Sequence, residues 1–174
     1  MLHLLSLPPS WPSTLGFAAG GLFALLAYSP VADAIATRFF WKPPTLGAFR
    51  ALQESRAKLI AGIAIAWVLG GFLEELVLRG IILRATEAFL SERMPQIAAI
   101  AVAICASAAV AFMIHLYQGV RAATIVTQLS VLLGVLFVIS GYDLWAVIFC
   151  HGLYDTVAFI RFADKSSKYS DLDA

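Results

Sequence analysis

Glu74, Glu75 and Arg79 lie inside one long apolar run of the chain, His115 inside a second, and His151 and Asp155 inside a third. Asp143 stands at the head of the third run. An Asp, Lys or Arg at the centre of a membrane helix costs about 2.5–3.5 kcal/mol on insertion scales, so such residues face the interior and pair or work there. The set holds a carboxylate able to take a proton from water, imidazoles that titrate near neutral pH, and a further carboxylate beside one of them. That is the inventory needed to activate a water and to stabilise an oxyanion, which points to hydrolysis.

Spacing divides the labour. On an α-helix Glu75 and Arg79 are i,i+4 and share a face, while Glu74 is turned about 100° away. Arg79 then neutralises Glu75 as a supporting pair and leaves Glu74 as the proton acceptor. The same three residues also fit a structural ion-pair cluster. His151 and Asp155 are again i,i+4. Asp155 either orients the imidazole or contacts the substrate, and Gly152 leaves room for another backbone to approach. His115 stands alone near the end of its run, where an interfacial role is also open. Glu74, His115, His151 and Asp155 are the catalytic candidates, with Glu75 and Arg79 supporting them. Zinc held by Glu74, His115 and His151 is the alternative chemistry. The His-Glu-x-x-His signature is absent, so a glutamate-activated water without metal or other cofactor is favoured.

These residues resemble the CAAX-processing and bacteriocin-processing intramembrane endopeptidases, the CPBP or Abi family, over about Ala66 to Ile160. Glu74-Glu75-x-x-x-Arg79 matches the family's Glu-Glu-x-x-x-Arg, with Gly80 following, and His151-x-x-x-Asp155 matches its His-x-x-x-Asn/Asp. The Phe-x-x-x-His motif departs, because Ala111 stands four residues before His115 and the nearest phenylalanine is Phe112. The resemblance implies peptide-bond hydrolysis within a membrane, on a peptide or protein substrate that is lipidated in some branches. In the Ras-converting branch three residues are removed after a prenylated cysteine. Some bacterial relatives are linked instead to bacteriocin maturation or self-immunity.

The elements that must position these groups are membrane helices. Of 174 residues, 61% are hydrophobic and 13% charged, where soluble domains have about 45–50% and roughly 25%. The runs are continuous rather than alternating, which excludes a barrel. The expected fold is an all-α integral membrane bundle of about five transmembrane helices in one domain spanning 1–174, multi-pass in the cell membrane if the chain is prokaryotic. The spans are expected at Ser13 to Ala36, Leu59 to Leu83 with an extension to Leu90, Ile97 to Tyr117, Ala122 to Ile139, and Leu144 to Phe162. The motif-bearing core is 59–162. Residues 38–58 form a basic, partly interfacial connection with a short helix over Thr45 to Lys58, and 164–174 form a frayed polar tail. The N-terminus lacks the basic head and cleavage site of a signal peptide. Cys105 and Cys150 read as packed small hydrophobes. A net charge of +1 gives no electrostatic case for nucleic acid.

Lysine and arginine gather on the face holding 38–58, Arg121 and the tail, which places that face and the C-terminus in the cytoplasm. Two tensions follow. Glu74 falls late in its span and His151 early in its own, whereas His115 falls late in the intervening span, so the third helix must shift, tilt or sit deeper for the three to meet. The charge count also puts the Glu74 end outside, while a protease of CAAX type needs cytoplasmic access. The competing function is a non-enzymatic membrane scaffold or self-immunity protein that keeps the motifs as structural glue. A proton-carrying transporter is disfavoured, since no pair of broken helices recurs in two halves.

Overall fold

The computed structural model describes residues 7, 8 and 10–170, and among them it is all-helical, with no strand. Five helices are long and apolar enough to cross a membrane. α1 (Trp11–Phe39) starts where the Ser10 hydroxyl accepts from the Ser13 N–H and Pro12 fills a first-turn position that needs no donor. α2 (Arg56–Ser91) starts at Ser55, whose side chain accepts from the Lys58 N–H, and stops before Pro95. α3 (Gln96–His115) ends in a 3₁₀ turn (Leu116–Gln118), after which Gly119, at φ 93°, reverses the chain into α4 (Val120–Ile139). α5 (Leu144–Ser170) closes the bundle.

α4 packs along α3, and α1 lies against both α4 and α5. Leu25, Leu133, Leu136, Phe137 and Val147 fill the centre. Outward residues such as Phe23 (76% exposed) and Ile97 (84% exposed) carry apolar surface that only lipid would cover favourably.

Four expectations change. The basic connection holds a 3₁₀ helix, Gly47–Gln53, in place of an interfacial helix over Thr45 to Lys58, because the Ser55 cap starts α2 three residues before Leu59. The expected extension to Leu90 is borne out, but it belongs with the span to a single helix from Arg56 to Ser91, so Glu74 sits near the middle of that helix rather than late in a span. α5 continues through Ser170, into the segment expected to fray; residues 171–174 and the N-terminal residues 1–6 and 9 lie outside the described part. Cys150 is buried, but Cys105 is exposed on the lipid-facing side of α3.

The middle of α2 is also not a regular α-helix. Trp67–Glu74 and Leu76–Leu83 bond i→i+5 as π-helix, joined at Glu75. Such widening is rare and concentrates at functional positions.

The end of the bundle formed by the C-terminus of α2 and the turns beside it is pinned by polar contacts. Glu87, nearly buried, accepts from the Tyr142 hydroxyl and from Gln96 Nε2, both at 2.7 Å, and from Arg84 at 3.2 Å. Arg84 also lies 4.2 Å from the Tyr142 ring centroid. Asp143 caps α5 by accepting from the Trp145 N–H at 3.0 Å and holds α1 through the Thr14 hydroxyl at 2.5 Å. Its intramembrane carboxylate is thus absorbed by structure.

Candidate active site

The three motifs meet between α2, the end of α3 and α5. Gly70 and Gly71, one turn before the glutamates, let this happen. A Cβ on Gly70 would stand 2.9 Å from Asp155 Oδ2 and 3.5 Å from His151 Nε2. Gly71 faces the Gly152 backbone, where a Cβ would come within 3.3 Å of the Gly152 Cα. A Cβ on Gly152 would enter the Trp67 ring at 2.6 Å, and the Trp67 indole donates to Thr156 Oγ1 at 3.0 Å. The two helices therefore touch nearly backbone to backbone beside the ionisable groups.

A chain of contacts runs from α4 through α2 to α5. Arg79, 1% exposed, donates through Nη2 to the Ser130 carbonyl and hydroxyl, both at 2.8 Å. Its Nη1 donates to Glu75 Oε1 at 3.2 Å, and Nε lies 3.1 Å from Oε2 without hydrogen-bond alignment. Glu75, fully buried, in turn meets His151 Nδ1 at 2.6 Å. A carboxylate paired with arginine only accepts, so this nitrogen carries the proton. On its other edge, His151 Nε2 lies 3.5 Å from Asp155 Oδ2. The orienting hydrogen bond to His151 thus comes from Glu75, and Asp155 makes the longer contact at the ring's far side.

Glu74 points elsewhere, to His115, with Oε1 4.0 Å from Nε2. The His115 ring is fixed at its other nitrogen, because Nδ1 lies 2.9 Å from the Ala111 carbonyl, which can only accept. Nε2 is then the unprotonated nitrogen facing Glu74 while the ring is neutral. Ala111 is buried and supplies the carbonyl that sets the tautomer, and Phe112 beside it is half-buried. All four candidates keep some access, with side chains 28% (Glu74), 13% (His115), 17% (His151) and 22% (Asp155) exposed. Among the described residues no three His, Cys, Asp or Glu side chains are grouped to hold a metal ion. Both His151 nitrogens face carboxylates, and one His115 nitrogen is taken by backbone.

The geometric tension in the sequence is resolved by α2. Because that helix runs to Ser91, Glu74 lies deep enough for His115, the last residue of α3, to reach it. Ser130 and Gly70 were not singled out from the sequence. A glycine pair one turn before two membrane glutamates was a usable signal for Gly70. For Ser130, a hydroxyl within an apolar helix, 51 residues from its partner, gave none.

No curated protein and no solved structure matches the chain. A family pattern, type II CAAX prenyl endopeptidase Rce1-like, matches residues 56–157 and agrees with the resemblance carried by the motifs. That range covers more than half of the chain and contains Glu74, Glu75, Arg79, His115, His151 and Asp155, so this multi-pass membrane protein belongs to the type II CAAX prenyl endopeptidase Rce1-like family.

Proposed function

We propose that the chain is an intramembrane endopeptidase that hydrolyses a peptide bond with a water activated by Glu74 and His115. The observation that carries the reading is the 4.0 Å gap between Glu74 Oε1 and His115 Nε2. It is too long for a direct hydrogen bond and suits two acceptors that share one water between them. Glu74 takes a proton as the water oxygen attacks the scissile carbonyl. The carbonyl oxygen becomes an oxyanion, and the proton passes to the leaving amine as the C–N bond breaks. His151, held by Glu75 through Nδ1–H, donates from Nε2–H to the oxyanion in its imidazolium form, in which both ring nitrogens are donors. Asp155 cannot donate while ionised, so it acts through His151.

Glu75, Arg79 and Ser130 keep the imidazole in place. The substrate is a peptide or protein, lipidated as in a CAAX prenyl endopeptidase family, and the membrane is the cell membrane if the chain is prokaryotic. No metal is required in this reading. His115 ends α3 at the basic end of the bundle, where Arg38, Arg56 and Arg121 also lie, so a substrate arrives from the cytoplasmic side under the positive-inside rule.

The test is cleavage of a farnesylated peptide ending in a C-a-a-X sequence by purified protein in nanodiscs. Glu74→Gln is expected to abolish turnover while leaving the thermal unfolding midpoint near wild type. Undiminished turnover in Glu74→Gln would return the motifs to a structural, non-enzymatic role.

A further inference from the structure

Beyond the site, α1 and α5 flank an open pocket of about 200 Å³ lined by Leu26, Ser29, Tyr154, Ala158, Phe162 and the exposed Arg161. It holds one cation and two hydroxyls between apolar walls. Arg161 has no carboxylate partner among the described residues, although other arginines of the bundle do: Arg79 with Glu75, Arg84 with Glu87, Arg121 with Asp33. The Tyr154 hydroxyl donates to Ser29 Oγ at 3.1 Å, and the Ser29 proton has no acceptor among the described residues. The cavity therefore offers a guanidinium and a hydroxyl as unspent donors, the complement of a carboxylate.

Its position relates it to the chemistry. Tyr154 adjoins Asp155 in the chain, and Phe162 and Ala158 continue along α5 from the face that bears His151 and Asp155. Arg161 lies ten residues beyond His151, a rise of about 15 Å. Helical side chains lean toward the helix N-terminus, here toward His151, and the lining of one cavity by Arg161, Ala158 and Tyr154 agrees with that direction. A C-a-a-X substrate ends within three residues of its cysteine, and three extended residues span about 10 Å. A chain cut near Glu74 and His151 thus has its terminal carboxylate at the distance Arg161 can meet.

We infer that this cavity receives the C-terminal carboxylate of the substrate, with Arg161 and Ser29 as its donors, and so restricts cleavage to bonds a fixed distance from a chain end. The inference rests on the proteolytic reading above and adds to it the feature of the substrate that is read. Arg161 and Ser29 are specificity-determining residues and touch no reacting atom.

The experiment compares one farnesylated C-a-a-X peptide with a free C-terminal carboxylate and the same peptide amidated, in nanodiscs of neutral lipid and in nanodiscs containing anionic lipid. Wild-type protein is expected to prefer the free acid by about 10- to 100-fold in kcat/KM, the range of a charge-assisted contact. Arg161→Gln is expected to bring that ratio close to one, Arg161→Lys to restore part of it, and Ser29→Ala to lower it by a smaller factor. Equal wild-type rates on both peptides, or an Arg161→Gln that lowers both by the same factor, overturn the carboxylate site and leave the hydrolytic reading intact. A loss on both peptides seen only with anionic lipid overturns it too, and makes Arg161 a headgroup anchor. If no protein cleaves either peptide, peptide binding decides. An acid preference in wild type that Arg161→Gln abolishes upholds the site while hydrolysis fails, and no preference sinks both.

Discussion

Arg79 offers the sharpest test of how the site is held, because its removal touches no reacting atom in the reading given above. Arg79→Leu deletes donors to Glu75 and to both oxygens of Ser130, and leaves the Glu75 carboxylate, at 0% exposure, with only His151 as partner. Breaking one side of a buried pair costs roughly 3–5 kcal/mol because the survivor stays uncompensated. Hydrogen bonds between membrane helices alone average only about 0.6 kcal/mol, so most of the loss comes from the stranded charge. For a chain of this length each kcal/mol moves the unfolding midpoint by about 2–4 °C, which puts the expected fall at roughly 6–20 °C. Thermal unfolding in detergent or nanodiscs measures it directly. Glu75→Gln in the Arg79→Leu background removes the stranded charge while keeping an acceptor for His151, and should recover about 1–3 kcal/mol relative to additivity. An Arg79→Leu protein that unfolds at the wild-type temperature but has lost all cleavage would refute the reasoning and move Arg79 into the reaction.

His115→Ala should abolish cleavage and keep the fold, while Phe112→Ala should act on stability, by less than the ~3–5 kcal/mol of a fully buried phenylalanine because its ring is half-buried; peptide turnover and unfolding midpoints separate the two. Gly70→Ala places a methyl 2.9 Å from Asp155 Oδ2, the end of a side chain that can turn aside, so activity should fall by about 100-fold with little change in midpoint. Gly71→Ala meets the Gly152 backbone at 3.3 Å, which cannot turn aside, and should lower the midpoint as well as the rate. Chelator treatment and metal analysis of purified protein should show activity without bound metal; zinc at one per chain, lost together with activity, would replace the glutamate-activated water by metal-bound water. Asp143→Ala removes the α5 cap and the Thr14 contact and should cost about 0.5–2 kcal/mol of stability with kcat unchanged.

The legible part of this protein was legible because charge in a membrane is costly. Glu74, Glu75, Arg79, His115, His151 and Asp155 stood out against apolar runs, and i,i+4 spacing paired Glu75 with Arg79 as the structure does. The fold class followed from the length and continuity of the same runs. What failed to show was geometry that composition does not encode. Nothing in the sequence between Trp67 and Leu83 announces a π-helical winding, and ending the span proper at Leu83, with the stretch to Leu90 only an extension, set Glu74 late in the span although one helix runs from Arg56 to Ser91. That single boundary created the apparent mismatch in depth between Glu74 and His115. Glu75 was assigned to Arg79 alone, because two partners for one buried carboxylate cannot be inferred from local spacing when the second, His151, is 76 residues away. Cys105 shows the limit of reading burial from apolar context, since in lipid an apolar neighbourhood covers both faces of a helix.

The polar knot at the far end of α2, where Glu87 gathers Tyr142, Gln96 and Arg84 while Asp143 ties α5 to α1, braces that end of the bundle against opening. On the hydrolytic reading, water, substrate and both products then share the other end, where α3 stops and α4 begins. Such a protein is vectorial without transporting anything. Reconstituted in sealed vesicles, only molecules whose basic end faces the added peptide can turn over, and the rate should rise on permeabilisation in proportion to the fraction inserted the other way.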